Sequence, residues 1–106
     1  MESNEQIAHM VEKIAREYEP ERIILFGSHA SGSAGLDSDI DLLIIKDTAE
    51  RFIDRFVTVR LILSDPGRNV PVDIIVLTPK ELSDRLAKGD QFMAEIMENG
   101  KVLYAA

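Results

Sequence analysis

Three short apolar runs, at residues 23–26, 42–45 and 74–77, decide most of what this chain can fold into. Each is only a few residues long, rich in Ile, Leu and Val, and flanked by polar or turn-forming residues. Such runs read as strands buried in a sheet, over residues 22–26, 40–46 and 70–77. Around them lies helical periodicity. Ile7, Met10, Val11, Ile14 and Tyr18 predict an amphipathic helix over residues 4–18, stopped by Pro20. Phe52, Phe56, Val59 and Leu63 predict a second over residues 49–63, with Asp65-Pro66-Gly67 as the turn beyond it.

The C-terminal third is set out by its caps. Thr78-Pro79-Lys80-Glu81 combines an N-cap, a proline at the first helical position and a glutamate able to reach back, so a short helix starts there and ends near Gly89. Asp90 caps another helix over residues 91–98, closed by Gly100, and residues 102–104 add an edge strand. Residues 28–35 are small and polar, enough for one helical turn and a loop. The order α-β-α-β-α-β-α-α-β predicts an α+β (α/β two-layer) fold, a small sheet with helices packed on it, as one domain over residues 1–106.

Composition narrows the function. A net charge of −7 argues against direct nucleic-acid binding, which relies on basic surface. No apolar run approaches the roughly 20 residues of a membrane span. The polar, acidic start MESNEQ has no signal-peptide pattern, and the chain has no cysteine for a disulfide or thiolate zinc site. A cytoplasmic protein is expected.

Acids on apolar strands are the chemical signal. Asp39 and Asp41 stand two apart, so an extended backbone points both to the face that continues with Leu43 and Ile45. Asp73 shares its face with Ile75 and Leu77. Ionised carboxylates in such surroundings need a positive partner. Nearby in sequence there are only Lys46, at a strand end, and Arg68, before the third strand. Magnesium is the economical partner, because it takes carboxylates plus substrate phosphates. The bland alternatives are a solvated strand start for Asp39 and Asp41, and an edge acid for Asp73. Asp37 falls in the same alternation but reads as loop.

Just after the first strand, Gly27-Ser28 offers a tight turn with free backbone N–H groups and a hydroxyl, able to face an anion. A plain turn fits equally well on its own. His29 is a candidate phosphate contact or an ordinary loop residue, and His9 reads as surface. Phe52, Phe56, Phe92, Met93, Ile96 and Met97 read as core or interface.

Taken in order, Gly27-Ser28-x-Ala30-x-Gly32 followed by Ser38-Asp39-x-Asp41 resembles the signature of the DNA polymerase beta nucleotidyltransferase superfamily. Over nearly its whole length, the chain is similar to a minimal nucleotidyltransferase (MNT) domain. The resemblance implies a mixed sheet and two magnesium ions held by Asp39 and Asp41, with Asp73 ligating one of them and helping to activate an acceptor hydroxyl. It implies a triphosphate held at Gly27 and Ser28, with Ser38 beside it, and transfer of a nucleoside monophosphate, AMP from ATP, with release of pyrophosphate. One departure is plain: the family often carries Gly-Ser-Arg-Ala-Arg-Gly, and here the arginine positions are His29 and Ser31. Two guanidinium groups that would grip phosphate are therefore absent from the turn.

Small domains of this kind act as antitoxins of helical HEPN-domain toxins, which the resemblance implies are adenylylated on a tyrosine. The sequence ends soon after the third acidic strand, so a partner protein or a second copy is expected to complete the cleft. Two rivals stand beside this reading: a binding module that neutralises its partner by contact, and a small-molecule transferase of the aminoglycoside-modifying kind.

Overall fold

The computed structural model describes residues 3–35, 38–66 and 70–106. The expectations for Asp37, Gly67 and Arg68 lie outside the described residues. The elements run α1 (Ser3–Tyr18), β1 (Arg22–Phe26), α2 (Ser28–Ser31), β2 (Ile40–Ile45), α3 (Phe52–Ile62), β3 (Val72–Leu77), α4 (Pro79–Ala87), α5 (Gln91–Asn99) and β4 (Lys101–Ala105). The third strand starts at Val72 instead of residue 70, since Pro71 has no N–H to give a ladder. Its carbonyl instead accepts from Ile40 N at 2.9 Å and starts the pairing with β2.

The strands form one mixed sheet in the order β3-β2-β1-β4. β1 is antiparallel to β2 and to β4, while β2 and β3 run parallel. The central strands are apolar on both faces because helices cover both. On one face, Ile23, Leu25, Ile40, Leu42, Ile44, Val72, Ile74 and Val76 meet Ile7, Met10, Val11 and Ile14 of α1 and Val59 of α3. On the other, Ile24, Leu43, Ile45 and Leu77 meet Leu82 of α4 and Met93 and Ile96 of α5. The expected α+β fold is thus present, with the helical layer on both sides of the sheet instead of the two layers foreseen.

α3 departs from its sequence pattern. Val59 and Leu63 are buried, but Phe52 and Phe56 are exposed. The inward position one turn before Val59 belongs to Arg55, which is only 6% exposed. Its guanidinium donates to Glu81 at 2.6 and 3.2 Å, to the Glu50 carbonyl at 2.9 Å and to the Val76 carbonyl at 3.3 Å. A buried cation needs that many partners. Arg55 therefore turns α3 so that Phe52, Ile53, Phe56, Val57 and Leu61 face outward. Glu81 also closes the predicted capping box, accepting from Thr78 N at 2.9 Å while Thr78 Oγ1 accepts from Glu81 N at 3.1 Å. One carboxylate thereby starts α4 and anchors α3.

Lys46 is not the acids' partner. At the far end of β2, it donates to the Tyr18 carbonyl at 2.6 Å and lies over the Tyr18 ring, 4.8 Å from its centroid.

Candidate active site

The acids sit where β1 ends and β2 and β3 begin. Parallel pairing places Asp41 directly opposite Asp73, and antiparallel pairing places Phe26 opposite Asp41. Alternation along both strands puts Asp41 and Asp73 on the face of Leu43, Ile45 and Leu77, beneath α4 and α5. The pairing of β2 with β3 thus brings together two acids that the sequence placed only within their own strands. Asp41 is half-buried, while Asp39 and Asp73 are exposed.

Asp41's carboxyl is pushed above the ordinary carboxylate range. Burial is the largest cause, followed by the like charges of Asp73 and Asp39 and a hydrogen bond with Asp73, with His29 pulling the other way. Such a group of carboxylates disfavours the fully ionised state unless a cation enters.

Gly27 turns the chain against this cluster. Its φ of 74° and ψ of −154° lie in a region essentially reserved for glycine, and a Cβ there would collide with Asp41 Oδ2. The Gly27 carbonyl accepts from Ala30 N and Ser31 N, both at 3.1 Å, closing the single turn of α2. Ser28 and His29 are half-buried in that turn.

His29 and Ser38 tie the turn to the acid strand. His29 Nε2 lies 3.2 Å from the Ser38 carbonyl, so it is the protonated nitrogen that donates. Ser38 Oγ accepts from Gly35 N at 2.8 Å, closing the loop before Asp39. Ser31 Oγ donates to the Ser28 carbonyl at 3.2 Å and lies 2.7 Å from Ser33 Oγ. Both side chains at the arginine positions are thus engaged inside the loop.

Among the described residues, no group of three or more His, Cys, Asp or Glu side chains is placed to hold a metal ion by itself. What converges is a set of hard oxygen donors around Asp41, whose mutual repulsion a dication relieves. Magnesium suits such a partial shell, because phosphate oxygens and water complete it.

Sequence reasoning missed two features. Arg55 left a faint signal, standing four before Val59 and eight before Leu63 on the buried line of α3. The second is a cleft of about 290 Å³ between α2 and α5, lined by Phe26, Gly27, Phe92, Glu95 and Asn99 among others. Phe92, read as core or interface, is 55% exposed at its mouth.

Comparison with known proteins agrees with this geometry. Residues 9–106 match the family described as Polymerase beta, Nucleotidyltransferase. A protein of Methanocaldococcus jannaschii, provisionally named a protein adenylyltransferase, is 36% identical over 85 residues, 77% of this chain. The match spans 56% of that relative's length. Among solved structures, a provisionally named nucleotidyltransferase from Sulfolobus solfataricus superposes with a TM-score of 0.65 at 24% identity, covering 95% of this chain and 78% of its own. A toxin-antitoxin structure with AMP-PNP gives a TM-score of 0.59 at 21% identity, covering 93% and 73%. These two share the fold. The extent of the family match, with the acid pair and glycine turn in place, makes the chain a member of the Polymerase beta nucleotidyltransferase family.

Proposed function

We propose that this chain is a magnesium-dependent nucleotidyltransferase acting in the cytoplasm, moving AMP from ATP onto a hydroxyl of a partner protein. The observation that carries the reading is Asp41 facing Asp73 across paired strands, beside the backbone of Gly27, in a chain of this family. Asp39, Asp41 and Asp73 would hold magnesium, and Gly27, Ser28 and Ser38 would border the triphosphate. When bound, magnesium supplies positive charge against the leaving pyrophosphate.

The residues then divide the work. The acceptor oxygen forms a bond to the α-phosphorus as the bond to the bridging pyrophosphate oxygen breaks. The hydroxyl proton passes to a carboxylate, and in this reading to Asp73, which is exposed on the edge strand and open to an incoming acceptor. Asp41, deeper in the sheet, holds its geometry through Asp73 and the Gly27 turn.

The acceptor in this reading is a tyrosine of a helical HEPN toxin, and the chain is its antitoxin. The M. jannaschii relative's name supports a protein acceptor, and the toxin-antitoxin structure with AMP-PNP supports a toxin partner. So does the outward side of α3, where Phe52, Ile53, Phe56, Val57 and Leu61 are all exposed.

A second reading has a specific observation behind it. His29 and Ser31 occupy the arginine positions and are spent on loop hydrogen bonds, which favours a binding module with weak chemistry. Calorimetric titration of magnesium and ATP into the protein separates the two. Binding that needs both magnesium and Asp41 supports the transferase. No binding up to millimolar nucleotide, even with the toxin present, leaves only the module.

A further inference from the structure

The cleft between α2 and α5 has a character of its own. Phe26 and Phe92 meet edge to face in its wall, with ring centroids 5.8 Å apart at 85°. Phe92 leaves more than half of its surface open, at 55% exposure, although Met93 and Ile96 on the same helix are buried. Among the described residues that line the cleft, none is basic, and Glu95 and Asn99 stand one helical turn apart on its rim. Phosphate has nothing to grip there. A flat neutral ring does, since an open aromatic face can stack on any base.

Position ties the cleft to the acids. Phe26 pairs with Asp41 across the sheet, and Gly27, which lines the cleft, also touches the Asp41 carboxylate. A volume of about 290 Å³ lies at the low end for ligand pockets, room for one ring system and not a whole nucleotide.

We infer that this cleft takes the nucleobase of the bound nucleotide, and that it selects a base with an exocyclic amino group. Ionised Glu95 only accepts hydrogen bonds, and Asn99 both accepts and donates. Together they match an edge carrying an amino donor beside a ring nitrogen, as adenine does. Unsubstituted purine, with no amino group, has no donor to give there. The inference rests on the nucleotidyl-transfer reading for what the phosphates do, but not for base binding itself.

The test uses adenosine, purine riboside and magnesium tripolyphosphate as separate probes, read by NMR shifts of the backbone amides of residues 92–99. Adenosine shifts these signals, and purine riboside, which lacks the amino group, binds several-fold more weakly. Phe92→Ala weakens adenosine and ATP roughly tenfold and leaves magnesium tripolyphosphate unchanged. Glu95→Gln narrows the gap between adenosine and purine riboside while the protein stays folded. Adenosine in the cleft of a protein that transfers no nucleotide upholds this inference and sinks the transferase reading alone. Equal affinity for purine riboside, unaltered adenosine binding by Phe92→Ala, or shifts confined to other residues overturns it.

Discussion

Asp41 Oδ2 occupies the place where a side chain on Gly27 would begin. The turn that ends β1 and the carboxylate that opens β2 therefore fit together only because Gly27 has no Cβ. Its φ of 74° adds a second demand for glycine at the same position. Gly27→Ala should destabilise the fold by about 1–3 kcal/mol, read by urea unfolding. Adding Asp41→Ala removes the collision and leaves the backbone strain, so the double variant should lose less than the sum. Additivity within about 0.5 kcal/mol would show that the two residues do not meet.

The carboxylate cluster predicts an unusual pH and metal dependence. Asp41's folded pKa is raised, so the folded state holds the proton more tightly than the unfolded chain. That stabilisation is complete below the ordinary carboxylate value of 3.8 and is lost as pH rises through the folded value. In chelator at neutral pH, Asp41→Asn should therefore melt higher than the wild type, and the two should converge in acid. Magnesium should raise the melting temperature of the wild type but not of the variant. A variant that melts lower at neutral pH in chelator contradicts the cluster.

Arg55 and Glu81 carry the opposite sign. Glu81's carboxyl is held below its usual value, first by the hydrogen bond from Arg55. Its contribution is present above the ordinary 4.5 and is lost as pH falls through the lowered folded value. Arg55→Ala should cost about 1.5–3 kcal/mol, moderated because the Glu81 side chain is 40% exposed and can rehydrate. Part of the acid sensitivity of unfolding should vanish with it. An unchanged pH profile in the variant would assign the sensitivity elsewhere.

The outer face of α3 should matter for partners and not for folding. Phe56→Ser and Leu61→Ser replace exposed side chains, so each should change stability by no more than about 0.5–1 kcal/mol. Both should weaken association with the proposed HEPN toxin, measured by calorimetry or analytical ultracentrifugation. Undiminished association of the double variant would move the interface off α3.

Much of this was legible in the sequence, and the exceptions have physical causes. Strands and helices appeared because apolar spacing and caps agree locally, as at Thr78 and Glu81. Alternation gave the face of each acid within its own strand, but that Asp41 and Asp73 lie on one face and opposite one another required the sheet. The helix α3 was legible but its inward side was not, because its apolar residues encircle it and a buried arginine with partners distant in sequence sets which side turns inward. The α2–α5 cleft was invisible for the same reason: Phe26 and Phe92 meet only in the fold.

The most direct test of the central claim is transfer of label from ATP carrying it on the α-phosphate. Wild-type protein, magnesium and the proposed HEPN toxin should yield a labelled toxin, with pyrophosphate released in equal amount. Asp41→Asn and Asp73→Asn should each abolish the label while keeping the fold by circular dichroism. Undiminished labelling by either variant, or labelling that persists in chelator, would contradict the account.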